Sequence, residues 1–294
     1  MIITNSHEQQ IVPSIQQVEG IDQLLVISYI FPSEIVHRTN CFLIGDKDDK
    51  KLIIDPSPAG DAEYKRLINT LQSFHYSYTD IFITHHHEDH VNEIQKLARE
   101  LAIPIIISED SHRRLLKING PDFFADINIK FAREGDILTH WNGQEVKVYE
   151  IPGHDEGQLA LAPESMIWFL VGDLIQGPGI GPEICSSTVA IATDEGDMKK
   201  YFSTLERIIR LNPKYLLPSH GLLPETVTIL ERTLEHRKKR EQEILELYRN
   251  GKTPEEIVAK IYKRVNKELA YLALENIKAH LKKLEQEGML NKKL

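Results

Sequence analysis

The chain of 294 residues has few cysteines and no long apolar run. Its two cysteines, Cys41 and Cys185, exclude a disulfide-stabilised scaffold and a cysteine-rich zinc site. No apolar run approaches the ~18 residues that a membrane-spanning helix needs. The first 14 residues lack the basic start and the apolar stretch of a secretory signal. We therefore expect a cytoplasmic protein with no membrane partner.

Two common catalytic motifs are missing as well. The chain has no Gly-x-Ser-x-Gly elbow for a nucleophilic serine, and neither cysteine stands among histidines. Its glycine-rich stretch, Gly177-x-Gly179-x-Gly181, runs into Pro182 and opens no helix. It therefore predicts a turn and not a phosphate-binding loop.

Charge is distributed unevenly along the chain. Residues 231–294 hold 16 Lys and Arg against 11 Asp and Glu, a balance of +5. Residues 1–230 hold 19 basic against 33 acidic residues, a balance of −14. This contrast indicates two units. We expect a catalytic domain of residues 1–225 and a C-terminal domain of residues 226–294.

The first unit alternates short β-branched runs with helical stretches, which predicts a mixed α/β domain. The expected strands are Leu24–Phe31, Cys41–Gly45, Lys51–Ile54, Ile81–Thr84, Ile103–Ile107, Glu145–Ile151, Met166–Gly172 and Tyr215–Leu217. The expected helices are Ala62–Ser73, Val91–Leu101 and Met198–Leu211. Only helical patterns follow, at Thr226–Asn250, from Thr253 onward, and at Asn266–Glu287.

Four histidines and an aspartate stand within six residues at the end of a predicted strand: His85, His86, His87, Asp89 and His90. Residues two apart in an extended loop point the same way, so His85 and His87 can share one metal ion. His86 then points elsewhere. Asp89 and His90 stand one helical step further on and can address a second ion nearby.

Three more donors, His154, Asp173 and His220, each follow a predicted strand. Loops at strand ends are where a rigid sheet can bring side chains together. Nitrogen and oxygen ligands suit Zn²⁺, and with lower preference Mn²⁺ or Fe²⁺. The pattern predicts two divalent metal ions. The other histidines are expected to be ordinary surface or core residues: His7, His37, His75, His112, His140, His236 and His280.

The histidine run, followed in order by His154, Asp173 and His220, resembles the metallo-β-lactamase superfamily over roughly residues 20–225. The resemblance implies an α/β fold, a four-layer αββα sandwich, here with a small all-α C-terminal domain. It implies that His85, His87 and His154 hold the first metal ion. Asp89, His90 and His220 would hold the second, and Asp173 would bridge the two. Asp55, which ends a predicted strand, matches the family's structural aspartate beside the ligands.

The tail resembles the β-lactamase-like protein 2 subgroup, which has a winged-helix-like C-terminal domain and whose mitochondrial member is an endoribonuclease. The resembling segments are residues 236–245, 258–263 and 276–288. One departure lies beside the metal ligands: the family places a pair of glycines shortly after the Asp-His, where this chain has Val91-Asn92-Glu93. The segment of residues 176–193 also looks longer than in the subgroup.

The donor set predicts a hydrolase in which a hydroxide bridges two metal ions. Asp89 would bind a metal ion, orient the hydroxide and accept its proton. The substrate stays open between two classes. A basic tail, with residues 237–240 and 282–283, could contact the phosphate backbone of single-stranded RNA, although the acidic body disfavours a broad nucleic-acid groove.

The alternative is a small-molecule thioester or ester hydrolase of the glyoxalase II type, with the tail as a lid or a homodimer contact. A third hypothesis is a nucleic-acid- or protein-binding module with a vestigial metal domain. The complete donor set disfavours the third.

Overall fold

The computed structural model describes residues 15–18, 20–30, 38–46, 50–177, 189–221, 225–263 and 270–290. Two sheets pack face to face, and helices cover both outer sides. This architecture is the expected four-layer αββα sandwich of an α/β fold, and a helical region follows it.

The first sheet has seven strands that lie in chain order. They are β1 (Ile15–Gln17), β2 (Leu25–Ile30), β3 (Arg38–Ile44), β4 (Lys50–Ile54), β5 (Ser77–Phe82), β6 (Ile105–Ile107) and β7 (Ile129–Phe131). Strands β1 to β4 pair antiparallel, whereas β4 to β7 pair parallel. The parallel strands end at one edge, where Asp55 follows β4 and the histidine run follows β5.

The second sheet has five strands in the order β12-β11-β10-β9-β8. They are β8 (Ile137–Trp141), β9 (Gln144–Glu150), β10 (Leu159–Pro163), β11 (Trp168–Gly172) and β12 (Tyr215–Pro218). Strand β10 is antiparallel to β9 and β11, and β12 is parallel to β11. The strands β9, β11 and β12 therefore end at the same edge, which places His154, Asp173 and His220 together.

Backbone hydrogen bonds join the two sheets at this edge. The Leu159 N–H donates to the Thr84 carbonyl at 2.8 Å, and the Asn40 N–H donates to the Ser219 carbonyl at 2.7 Å. Between the sheets, alternate side chains such as Phe42, Phe82 and Leu170 form one buried core. The metal-binding candidates thus stand on a rigid rim.

Helices complete the outer layers. They are α1 (Gly60–Ser73), α2 (Glu88–Val91), α3 (Ile94–Leu101), α4 (Glu109–Asn119), α5 (Met198–Leu211), α6 (Thr228–Arg249), α7 (Pro254–Ile261) and α8 (Ala270–Gln286). Helices α1 to α4 pack on the first sheet, and α5 packs on the second. Among the described residues, none of the helices is long and apolar enough to cross a membrane.

The expected strands and helices of the first unit are present with shifted ends, except that one helix is broken. The predicted helix Val91–Leu101 was wrong as a single element, because α2 ends at Val91 and α3 starts at Ile94. Between them Glu93 adopts a left-handed conformation with φ of 59°. This conformation favours glycine, and the break coincides with the position where the family has glycines. Asn92 fixes the break, because its side chain donates to the Pro58 carbonyl at 2.6 Å.

Four strands and one helix were not expected: β1, β7, β8, β10 and α4. The strands β1 and β7 have three residues each, too few to show an alternating pattern. Helix α4 is strongly polar, and its start is fixed locally by Ser108, whose hydroxyl accepts from the Ser111 N–H at 3.1 Å. Cys185, Gly179 and Gly181 lie outside the described residues.

The C-terminal helices pack against α5 of the sandwich. Leu230 and Leu234 of α6 and Ala279 of α8 share a buried cluster with Tyr201 and Leu205 of α5. A second small cluster, which includes Ile257 and Ile277, holds α6, α7 and α8 together. Helix α7 begins with a capping box: the Thr253 hydroxyl accepts from the Glu256 N–H, and the Glu256 carboxylate accepts from the Thr253 N–H.

This packing predicts the outcome of a truncation after residue 225. Removing α6 to α8 would expose the face of α5 and is expected to cost more than the about 2–5 kcal/mol that one buried leucine contributes. Thermal unfolding and light scattering of the truncated chain should show a lower midpoint or aggregation. A truncated chain with an unchanged midpoint would contradict the buried contact. Truncation is therefore a poor test of whether the tail binds nucleic acid.

Candidate metal centre

The seven donors predicted from the sequence meet at the shared edge of the two sheets. They form two groups, and the ligand atoms within each group lie within 4.8 Å of one another. The first group is His85, His87 and His154, and the second is Asp89, His90, Asp173 and His220. We call them the three-histidine cluster and the mixed cluster.

The three-histidine cluster is centred on the His87 ring. His85 Nε2 lies 2.9 Å and His154 Nε2 lies 3.1 Å from His87 Nδ1. Nitrogens bound to a tetrahedral zinc ion at 2.0–2.1 Å are about 3.3 Å apart. The observed spacing is close to that of three ligands of one ion.

The other nitrogen of each ring is hydrogen-bonded outside the cluster. His154 Nδ1 donates to the Ala190 carbonyl at 2.8 Å, and His87 Nε2 lies 3.0 Å from the Glu195 carboxylate. His85 Nδ1 lies 3.1 Å from the Thr84 hydroxyl, which itself donates to Asp55. These partners place the ring protons outside, so the three inward nitrogens keep their lone pairs for a metal ion.

The mixed cluster pairs ring nitrogens with carboxylates. His220 Nε2 lies 3.1 Å from both Asp89 Oδ2 and Asp173 Oδ2. His90 Nε2 lies 3.4 Å from Asp173 Oδ1. Asp173 also reaches the first cluster, since its Oδ2 is 3.9 Å from His154 Nε2. Asp173 therefore has the location of a bridging carboxylate.

Asp55 lies next to the mixed cluster and is hydrogen-bonded to one of its members. It is fully buried, and its two oxygens accept hydrogen bonds from the Thr84 N–H at 2.9 Å and the Thr84 hydroxyl at 2.7 Å. Its Oδ2 also lies 2.8 Å from His90 Nδ1 and 3.3 Å from the Ser219 hydroxyl. Asp55 thus fixes the ring of His90 with Nε2 toward the cluster.

The electrostatics differ between the clusters. Burial lowers the pKa of His85, and burial and the nearby His87 lower the pKa of His154 to about 4. Burial also opposes the charged forms in the mixed cluster, but Asp173 and Asp89 outweigh it and raise the pKa of His220 to about 10. The neighbouring histidines likewise overcome burial and lower the pKa of Asp89 to about 2. In the metal-free protein the mixed cluster is an ion-paired network of the kind that metal ions displace with release of protons.

His86 belongs to neither cluster, but it forms a third candidate group with His87 and Asp155, whose ligand atoms also lie within 4.8 Å of one another. Its buried ring lies between Asp155, with Nδ1 2.9 Å from Oδ2, and Glu195, with Nε2 3.5 Å from Oε1. Burial lowers the pKa of His86, but the two carboxylates outweigh it and raise the pKa to about 9. A protonated His86 anchors Glu195, which in turn contacts His87.

Sequence reasoning missed Thr84, Asp155, Ala190 and Glu195 as supports of the ligands. Thr84 and Asp155 each adjoin a histidine ligand, and this proximity was the only available signal. Glu195 stands 108 residues after His87, and Ala190 acts through its backbone carbonyl. Neither has a signal in residue type or spacing.

A tight backbone contact holds the loop of His154. A Cβ on Gly196 would lie 2.4 Å from the Gly153 carbonyl oxygen and 2.5 Å from that of His154. A Cβ on Gly153 would lie 2.4 Å from Tyr201 Cα, and Gly153 has a φ of +146°. Only glycine fits both positions, and the contact joins the His154 loop to the start of α5.

Comparison with known families identifies two matching regions. Residues 35–220 match the model described as "Metallo-beta-lactamase superfamily", and residues 253–292 match "Beta-lactamase associated winged helix domain". The chain is 28% identical over 265 residues to "Beta-lactamase-like protein 2 homolog" from Drosophila melanogaster, which covers 86% of this chain and 84% of that protein. The resemblance to this subgroup, first noted on the metal motif and the tail, is confirmed.

Two further similarities concern an enzyme sequence and a solved structure. "Hydroxyacylglutathione hydrolase" from Bdellovibrio bacteriovorus is 25% identical over 177 residues, which cover 60% of this chain and 59% of that protein. The solved structure of a "Beta-lactamase domain protein" from Burkholderia ambifaria superposes with a TM-score of 0.77 at 18% identity, over 97% of this chain and 92% of that one. The latter similarity supports the fold.

Proposed function

The chain belongs to the metallo-beta-lactamase superfamily, whose members are generally hydrolases, and from this premise we propose that it is a hydrolase dependent on two metal ions, preferably zinc. The observation that supports the proposal is the meeting of the three-histidine cluster and the mixed cluster at Asp173. A binding module with a vestigial site would not need all seven donors.

The protein's own residues would divide the work between binding and proton transfer. Two divalent ions would supply an activated water and polarise the bond under attack. Asp89 is ionised at neutral pH, and its side chain is 14% exposed, whereas those of His90 and His220 are fully buried. Asp89 is therefore the acid of the mixed cluster that a substrate can approach, and its Oδ2 can orient the water and take its proton.

Metal binding can be tested directly. We expect the purified chain to bind two equivalents of zinc, and a bound ion at 1,000 times its Kd stabilises the fold by about 4 kcal/mol. Elemental analysis and thermal unfolding, with and without a chelator, measure both effects. His85→Ala should lose one equivalent, whereas His75→Ala, an exposed histidine outside both clusters, should keep two. Full binding by His85→Ala would contradict the assignment.

For the substrate we propose the phosphodiester bonds of single-stranded RNA. The support is the resemblance of the whole chain, including the tail, to the β-lactamase-like protein 2 subgroup. The basic tail supports it less than the sequence indicated. Arg237 is buried, with 3% of its surface exposed, and it cannot reach a phosphate. Lys238 and Lys239 pair with Glu206 and Glu235, and such exposed pairs are weak enough to yield to RNA. Arg240 is only 20% exposed; it pairs with Glu243 and lies 5.1 Å from the centre of the Tyr262 ring.

The second candidate is a small thioester, such as a hydroxyacylglutathione. The similarity of 177 residues to a hydroxyacylglutathione hydrolase favours it, and so does the negative charge balance of residues 1–230. In this alternative the C-terminal helices have a structural role.

One experiment separates the two substrates. The zinc-loaded protein is incubated with end-labelled single-stranded RNA and, in parallel, with a hydroxyacylglutathione, each beside a chelated sample. RNA cleavage lost on chelation supports the ribonuclease. Thioester hydrolysis with intact RNA supports the alternative, and Lys239→Glu should then leave turnover unchanged. Intact samples of both substrates with two bound ions would contradict both assignments.

A further inference from the structure

The C-terminal helices contact a short segment that supports the three-histidine cluster. We call residues 189–195 the support segment. The Ala190 carbonyl accepts from His154 Nδ1 at 2.8 Å, and the Glu195 carboxylate lies 3.0 Å from His87 Nε2. Two of the three ring orientations in the cluster therefore depend on where this segment lies.

Two side chains of the C-terminal helices bond to the residues on either side of Ala190. Asn276 Oδ1 of α8 accepts from the Ile191 N–H at 3.1 Å. The Arg237 guanidinium of α6 donates to the Val189 carbonyl and, at 3.0 Å, to the same Asn276 oxygen. The carbonyl that orients His154 is thus held between two hydrogen bonds from one connected pair.

A second set of contacts holds the segment nearer to Glu195. The Glu275 carboxylate accepts from the Thr193 hydroxyl at 3.0 Å and from the Thr193 N–H at 3.3 Å. Lys282 donates to the Thr193 carbonyl at 3.2 Å. Helix α8 therefore contacts the support segment two residues before its carboxylate reaches His87.

Burial makes these bonds strong restraints. Arg237 is 3% exposed, its guanidinium lies over the Tyr201 ring at 5.4 Å, and Val189 and Ile191 are buried against the same apolar cluster. An unmade hydrogen bond in such a place leaves a buried polar group with neither its protein partner nor water to replace it. The segment has no low-cost alternative position while both side chains are present.

We propose that Asn276 and Arg237 are positioning residues for the three-histidine cluster, acting through the Ala190 carbonyl on His154. The C-terminal helices are on this view part of the support of the metal centre, in addition to any contact they make with a substrate. The inference rests on the proposed function, because it requires that the three histidines bind an ion.

The test measures metal affinity at one cluster. Asn276→Leu is made in a His220→Ala background, which removes a ligand of the mixed cluster, and Co²⁺ binding is followed by its absorption spectrum and by competition with a chromophoric chelator. Loss of an outer hydrogen-bond partner typically lowers metal affinity 10–100-fold, and we expect about tenfold here. Hydrogen exchange of the support segment should speed up in parallel.

Two variants separate positioning from general destabilisation. Asn276→Asp keeps an oxygen that accepts from both Ile191 and Arg237, and it should restore the affinity to within about threefold of the parent. Ile277→Ala opens a cavity in the next residue of α8, among the side chains that join α6 to α8, without touching the support segment. It should lower the unfolding midpoint and leave the Co²⁺ affinity and spectrum unchanged.

The outcomes distinguish this inference from the proposed function. If the His220→Ala parent binds no Co²⁺, the metal assignment fails and the inference fails with it. If the parent binds and Asn276→Leu binds equally well, only the inference is overturned, as it is if Ile277→Ala weakens binding to the same extent. Should Asn276→Leu fail to fold, Glu275→Ala, at a partly exposed side chain, must lower the affinity in the same direction for the inference to stand.

Discussion

If the proposed function is right, replacing Asp89 by alanine is expected to lower kcat/KM about 10³-fold or more, because the change removes the proposed metal ligand and proton acceptor together. The Asp89 carboxylate lies 3.1 Å from His220 Nε2 and 3.8 Å from His90 Nε2, so the mixed cluster loses its exposed acid while both rings remain. Initial rates and bound metal, measured on the same samples, check the result.

Glu88, the residue before Asp89, provides a matched control. Glu88 is exposed on the same short helix, and Glu88→Ala makes the same change in charge without touching either cluster. We expect its rate to stay within about twofold of the natural protein, since surface substitutions have small effects. Turnover by Asp89→Ala at the level of Glu88→Ala would exclude the proposed chemistry.

Much of the candidate metal centre could be predicted because most of its donors stand in loops after strand ends, and Asp89 and His90 stand on the short helix that follows β5. Strands that run in the same direction within a sheet end at a common edge. His85, His154 and His220 follow such strands and were expected to meet although they are far apart in the chain. The packing of the two sheets sets the distance between the three-histidine cluster and the mixed cluster. It also sets the contact of Asp173 with both clusters. No sequence pattern expresses that packing.

The supports of the ligands were harder to predict for a physical reason. Ala190 contributes a backbone carbonyl, which every residue has, and Glu195 is one of 44 acidic residues. The break at Glu93 was also missed, because the apolar spacing of residues 91–101 fits one continuous helix. The backbone conformation of Glu93 sets the break, and hydrophobic periodicity carries no information about that conformation.

The basic tail shows another limit of prediction from the sequence. A run of four basic residues, 237–240, indicated a surface for phosphates, but the helix turns Arg237 inward onto Tyr201 and leaves only Lys238 and Lys239 exposed. Charge composition averages over all faces of a helix, whereas packing selects one. Adjacent basic residues of one run therefore differ: Arg237 has a structural role, and Lys238 is exposed.

Replacing Asp55 by asparagine should preserve the fold and yet lower metal affinity 10–100-fold. The Thr84 N–H, 2.9 Å from Asp55 Oδ1, would hold the amide oxygen, so the new amide nitrogen would take the place of Oδ2. That nitrogen donates to His90 Nδ1, where the carboxylate accepted, and it drives the ring proton to Nε2, which faces the mixed cluster. His90 would then present a proton in place of a lone pair.

The Thr84 hydroxyl would carry the same effect to the other cluster. It donates to Asp55 at 2.7 Å and, once that acceptor is lost, it can donate to His85 Nδ1 at 3.1 Å instead. Asp55→Ala differs, because it leaves several buried donors without a partner and is expected to cost about 3–5 kcal/mol of stability. Asparagine also tolerates the left-handed conformation of residue 55, with φ of 49°, better than alanine does.

Nitrogen NMR of the metal-free protein, at a pH high enough to make His90 neutral, can detect the proton shift on that ring, and metal titration and thermal unfolding measure the metal affinity and the stability. Asp80→Asn is the control, since Asp80 is a buried acid of β5 that pairs with Lys130 and contacts neither cluster. It should keep both the tautomers and the metal affinity. If Asp55→Asn bound two ions as tightly as Asp80→Asn, Asp55 would be a structural residue of the strand end and would not set the protons of the ligands.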